Sequence, residues 1–147
     1  MTHLFIALVS FAVSFSKADF YSVMSGDNEN SISNYISKLE NAASNEQKAY
    51  KGALLMKKAS FQKTPKEKLV LFKEGRLLLE NEISKDSKNT EYRFLRLIIQ
   101  ENAPKILKYN TNISEDAALV KKYYPSLNGD VKKAVESYSK SSTNLKL

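Results

Sequence analysis

Three side chains stand out for the chemistry they can do: Arg76, Arg93 and Arg96. The chain carries 23 Lys and Arg, and every basic residue other than these three is a lysine. Arginine is preferred where a planar, multidentate contact to a carboxylate or phosphate is needed. Arg93, Arg96 and Gln100 fall at i, i+3 and i+7, one polar stripe on an otherwise apolar segment. Two guanidinium groups a helical turn apart repel unless an anion sits between them. That anion is a ligand carboxylate or phosphate, an acidic side chain of a partner, or Glu91 or another carboxylate of this chain. Arg76 lies between Phe72 and Leu79 on an apolar stripe, which predicts a buried guanidinium. A buried charge must be paired. Glu80 is its candidate at i+4, and Glu91 or Glu101 its candidates from the next helix. An internal ion pair that fixes helix register is the expected role, and binding of an anionic group the alternative. On that expectation Arg76→Ala costs about 3 kcal/mol, because it strands a buried carboxylate.

Other catalytic chemistries find little here. The chain has no Cys, and its single histidine, His3, lies in a segment read below as a removable leader. That excludes Cys/His nucleophiles, thiol redox chemistry and zinc sites of the usual ligands. Four glycines leave no phosphate-cradling loop. No metal and no cofactor is expected. Glu115 and Asp116 read as acids in the first turn of a helix, where the dipole favours them. No carboxylate pair is marked for glycoside hydrolysis, so the chain is read as non-enzymatic. Most aromatic residues, among them Tyr35, Tyr50, Phe61, Phe72 and Tyr138, sit at core spacing. Tyr123 and Tyr124 precede Pro125 and cannot both face a core, so one of them is expected to be exposed to a partner. Asn112-Ile113-Ser114 fits the N-glycosylation pattern, which matters only in a eukaryotic secretory pathway.

The elements that position these residues are helical. The chain has 147 residues, low Gly and Pro, and room for a single domain. Leu4–Phe15 is an apolar run followed by Ser16-Lys17-Ala18, small residues at −3 and −1 of a cut after Ala18. Residues 1–18 therefore read as a secretory signal peptide, too short for a membrane span of about 20 residues. The expected location is periplasmic or secreted. The formal net charge is +7, but the lysines are dispersed rather than clustered, which argues against nucleic-acid binding. Residues 19–30 are polar and read as a lead-in loop. Helices are then expected over about 31–44, 46–61, 64–85, 90–102, from 114 to Pro125, and from 128 to about 140. The third has the strongest start, Thr64-Pro65-Lys66-Glu67, with an N-cap, a proline at the first position and a glutamate at the third. The fourth is the most apolar and is expected to be central. Residues 31–140 form the domain, and 141–147 read as a flexible tail.

Six such helices with short connections imply an all-α fold of stacked antiparallel helical hairpins. Ala49-Tyr50 is echoed by Glu91-Tyr92, 42 residues later. The junction Lys85–Tyr92 resembles the polar turn between tetratricopeptide repeats, without their Trp, Gly and Tyr spacing. The stretch Glu91–Tyr109, with Gly75-Arg76 upstream, resembles a run in small exported proteins of Bacteroidota that carry no assigned activity. That resemblance implies an envelope or secreted location and no known chemistry. The expected function is a non-enzymatic interaction or structural module that offers a helical groove to a peptide or protein of the cell envelope. The alternative is a binder of a small anionic or lipid ligand near the arginines. A carboxylate-based hydrolase is the least favoured reading.

Overall fold

The computed structural model describes residues 15–147, and these form seven α-helices with no strand among them. In chain order they are α1 (Lys17–Ser25), α2 (Glu29–Lys38), α3 (Asn45–Ala59), α4 (Pro65–Lys85), α5 (Thr90–Asn102), α6 (Ile113–Tyr123) and α7 (Gly129–Ser139). Two short 3-10 turns, Lys105–Leu107 and Tyr124–Ser126, flank α6. Up to Ser14, the apolar run read as a leader lies outside the described residues. Among the described residues, no helix is long and apolar enough to cross a membrane.

Local chemistry sets several of the boundaries. Ser44 and Gln47 form a reciprocal capping box at the start of α3. Thr64 and Glu67 form a second at α4, with Pro65 at the first helical position. The Asn89 side chain accepts from the Tyr92 N–H at 3.1 Å and starts α5. Such caps satisfy the amide donors that a helix leaves open at its first turn.

The order of contacts shows how neighbouring helices run. Gly52 of α3 meets Leu79 of α4, whereas Met56, one turn later, meets Gly75, one turn earlier. The two helices are therefore antiparallel. The same test applies to α5 and α6: Arg93 reaches Asp116, and Gln100, further along, reaches back to Asn112. α5 has a core on either side. Leu95 and Ile99 join Phe20, Ile32, Tyr50, Leu54 and Leu79 in one cluster. Phe94 and Leu97 join Val120, Val135 and Leu145 in another. The most apolar helix is thus the central one, as its circumference requires.

Two expectations about the ends of the domain are corrected. Residues 19–30 are not a loop, since most of them belong to α1 and the start of α2. Phe20 is fully buried and stacks on Tyr50 at 3.8 Å between ring centres, and Met24 lies one turn on. The polar residues that suggested a loop have a narrower role. Gly26 and Asp27 make the connection, and Asn28 caps α2 by accepting from the Ser31 N–H. Residues 141–147 are not a free tail either. Leu145 is fully buried in the second cluster, and Ser142 is buried beside it. α2 also stops at Lys38, earlier than its apolar periodicity suggested, leaving Ala43 exposed.

Candidate functional site

Arg93 and Arg96 project from one face of α5, and both are buried. The anion between them is Asp116, which lies in the first turn of α6 and is fully buried. Its Oδ1 accepts from the Arg93 Nε, and from an Arg96 terminal nitrogen at 2.9 Å. Its Oδ2 accepts from the Arg96 Nε at 2.7 Å. Both arginines make further bonds within the chain. Arg93 donates to the Ser87 carbonyl at 2.8 Å and to Glu115. Arg96 donates to Glu80 at 3.0 Å, and Glu80 also accepts from the Tyr109 hydroxyl. Burial works against the Arg96 charge, but the hydrogen bonds it donates to Asp116 and the charges of Asp116 and Glu80 outweigh it and hold its pKa above the ordinary value. Burial, then Glu80, pushes the Tyr109 hydroxyl well up. The network is one acid shared by two bases and closed at its edges, which favours the register role over ligand binding. Gln100 extends it by pairing twice with Asn112, donating to its side chain at 3.1 Å and accepting from its N–H at 2.9 Å.

Arg76 is corrected. Its side chain is exposed, and it forms no ion pair among the described residues. Its guanidinium carbon lies over the Tyr109 ring, 4.5 Å from the centre, and Phe72 packs on the same ring in a T-shaped pair at 5.7 Å. The residue that faces α3 at this level of α4 is Gly75. Glu80, expected to pair with Arg76, serves Arg96 and Tyr109 instead.

The other two candidate acids hold the ends of the described chain. Glu91 accepts from Lys17 at 2.9 Å, from the Tyr21 hydroxyl at 2.8 Å and from the Tyr50 hydroxyl. Burial, then Glu91, raises the pKa of both tyrosines. Glu101 accepts from Ser142 at 2.8 Å, from the Asn144 N–H at 3.0 Å and from the Tyr138 hydroxyl. Of the adjacent tyrosines, Tyr124 donates to Glu136 at 2.6 Å and lies under Lys132, while Tyr123 is the more exposed of the two. Among the described residues no three His, Cys, Asp or Glu side chains gather as a metal site.

The feature that sequence reasoning did not locate is an open groove of about 1180 Å³ bounded by α1, α3, α4, α5 and α7. Met24, Met56, Leu69, Phe72, Ile98 and Leu107 make it apolar. Lys57, Lys68 and Lys133 also line it. Lys57 is the most enclosed of these: burial lowers its pKa, and Asp27, 3.7 Å away, partly restores it. Leu69 (40 % exposed) and Ile106 (87 % exposed) leave apolar surface open to water here. Residues far apart in the chain build this face, so no local spacing announces it. No protein-family model, curated protein or solved structure matches the chain.

Proposed function

We propose that the protein is an exported, non-enzymatic interaction module, and that its groove takes an amphipathic helix from a protein of the cell envelope. The groove is the observation that carries this reading. Its volume exceeds the roughly 300–1,000 Å³ of most small-molecule pockets, and it is open along one side rather than closed around a ligand. An apolar helix face laid into an apolar groove is a recurrent mode of recognition. Met24 and Met56 give it adaptable walls. The three lysines favour acidic residues flanking the apolar face of the partner. We also read the antiparallel pairs α3–α4 and α5–α6 as a short tetratricopeptide-like array, a scaffold suited to holding such a face open.

The second reading is a lipid or other anionic amphiphile, with its chain on the groove floor and its head at the lysines. Arg93 and Arg96 lend it no support, because their charge is met by Asp116, Glu80 and Glu115. Among the described residues, the groove carboxylates are Asp27, exposed in the α1–α2 connection beside Lys57, and Asp130, in the first turn of α7, so hydrolysis draws no support either.

A photoreactive phenylalanine analogue at position 69, used in living cells, tests this. A crosslink to an amphipathic helical segment supports the reading, provided that it is lost when Lys57, Lys68 and Lys133 are changed to Glu. A lipid adduct, or one unaffected by those changes, counts against it.

A further inference from the structure

Of the chain's asparagines, only Asn128 precedes a glycine, and this pair opens α7. In such a pair the backbone nitrogen of the second residue can attack the side-chain amide of the first, because glycine has no Cβ to block the approach. The fold leaves this pair free where it ties other asparagines down. We propose that Asn128–Gly129 is a self-modification site, which closes to a succinimide and reopens as aspartate or iso-aspartate with water as the only co-reactant. The proposal stands apart from the identity of the groove's occupant.

Both residues are exposed. A Cβ built on Gly129 meets nothing within 4 Å, so no neighbour crowds the attacking nitrogen. Gly129 sits at φ +52°, in the left-handed region that glycine enters freely. Its N–H finds no backbone acceptor among the described residues. Asn128 stands at the N-cap position of α7, yet its side chain makes no capping bond. Asn28 and Asn89 hold the same position on α2 and α5, and there the side-chain oxygen is engaged. It accepts from the Ser31 N–H at 2.9 Å and from the Tyr92 N–H at 3.1 Å. Asn102 and Asn144 donate their side-chain amides to the Ile98 carbonyl and to Glu101. Asn128 is extended, at ψ 174°, and the attack needs that angle to turn. What resists the turn is the bond from the Lys132 N–H to the Asn128 carbonyl, 3.2 Å long, at the fraying end of the helix.

The Gly129 nitrogen bonds to Asn128 Cγ and the Cγ–Nδ2 bond breaks. Nδ2 leaves as ammonia, taking the proton of the Gly129 nitrogen. Water then opens the ring, and nothing is oxidised or reduced. Addition at Cγ restores the main chain and leaves an aspartate. Addition at the main-chain carbonyl carbon leaves iso-aspartate, with the chain running through Cγ. Either product lowers the net charge by one. Aspartate suits the position, since it caps as well as asparagine and its charge lies at the positive end of the helix dipole. Iso-aspartate inserts an extra carbon into the backbone where α7 begins. α7 carries Lys133, Ala134 and Tyr138 to the groove, so this product displaces one groove wall.

The test is a time course on the full folded chain in mildly alkaline buffer, which deprotonates the attacking nitrogen more often. Peptide mapping by mass spectrometry locates each lost ammonia, and electron-transfer fragmentation separates aspartate from iso-aspartate. Conversion is expected at Asn128 ahead of every other asparagine. It should give both isomers, lose one charge per chain and run at a rate close to that of the same chain unfolded in urea. Asn128→Gln keeps the amide but needs a larger ring, and is expected to abolish the conversion. An intact Asn128, or one converted no sooner than the exposed Asn41 and Asn110, overturns the proposal. Aspartate without iso-aspartate marks direct hydrolysis and overturns the ring route. A rate far below that in urea shows that the fold protects the pair, and overturns it too, as does conversion that persists in Asn128→Gln.

Discussion

Gly52 of α3 and Gly75 of α4 meet backbone to backbone, with no side chain between them. A Cβ built on Gly75 would lie 2.5 Å from the Gly52 carbonyl oxygen and 2.8 Å from the Met56 nitrogen. A Cβ on Gly52 would lie 2.7 Å from the Gly75 carbonyl oxygen. These are backbone atoms and cannot turn aside. In an open helix interior, replacing Gly with Ala stabilises by about 1 kcal/mol. Here the sign is expected to reverse. Gly75→Ala and Gly52→Ala should each destabilise by about 1–3 kcal/mol, the usual cost of overpacking. Thermal melts of the two variants check this, and a raised Tm for either contradicts it.

Asp116 is the one fully buried acid shared by two buried guanidinium groups. Removing it leaves Arg93 only Glu115 and Arg96 only Glu80, both more exposed than Asp116, whereas removing Glu115, which is largely solvated, leaves both with Asp116. Asp116→Ala is therefore expected to cost about 3–5 kcal/mol. Glu115→Ala should cost no more than about 1 kcal/mol. Urea unfolding of both variants separates the roles, and equal midpoints would show that the shared acid is not what holds α6 to α5.

Arg76 carries a smaller effect than its position on the stripe implied. It stacks on Tyr109 at the surface and leaves no buried carboxylate behind when removed. Arg76→Ala should cost about 0.5–1 kcal/mol, the worth of an exposed cation–π contact. A loss near 3 kcal/mol, measured by the same urea titration, would restore the buried ion pair that the sequence suggested.

Glu101 links the C-terminal segment to pH. Burial disfavours its charge, but hydrogen bonds from Tyr138, Asn144 and Ser142 outweigh burial and hold its pKa below the ordinary 4.5. A depressed folded pKa stabilises the native state above the unfolded value, and that stability is lost as pH falls through the folded value. The segment around Leu145 is thus expected to stay docked at neutral pH and to loosen in acid, below pH 4.5. Amide hydrogen exchange at Asn144 and Leu145 reads this directly. Protection that stays flat on acidification, or that is unchanged in Glu101→Gln, would contradict it.

What the sequence reveals here depends on distance along the chain. The start of α4 is legible because Thr64, Pro65 and Glu67 act within three residues of one another. The centrality of α5 follows from its apolar circumference alone. Arg76 misleads for a definite reason. The line of α4 that faces inward runs Phe72, Gly75, Leu79, Glu82, Ile83. Gly75 has no side chain because α3 comes too close for one, and apolar periodicity cannot register a glycine. The pattern then assigns the gap to the next residue, Arg76. Asp116 looks like ordinary helix-start chemistry until α6 is laid against α5, where the same carboxylate falls between two arginines. α1 holds only two buried residues, Phe20 and Met24, too few for a periodic pattern. The tail rests on a single long-range apolar anchor, Leu145. The groove depends on five helices at once and has no local trace.

Glu91 and Glu101 also give the molecule a mechanical axis. One stands near the start of α5 and holds α1; the other stands near its end and holds the residues around Asn144. Ten residues of helix separate them, about 15 Å at 1.5 Å per residue. A tension applied between the segment leading into α1 and the C-terminus is therefore borne along α5 as shear between two carboxylate latches. The hairpin α3–α4 lies outside that line of force, so pulling on the ends would undo the latches while leaving the hairpin paired.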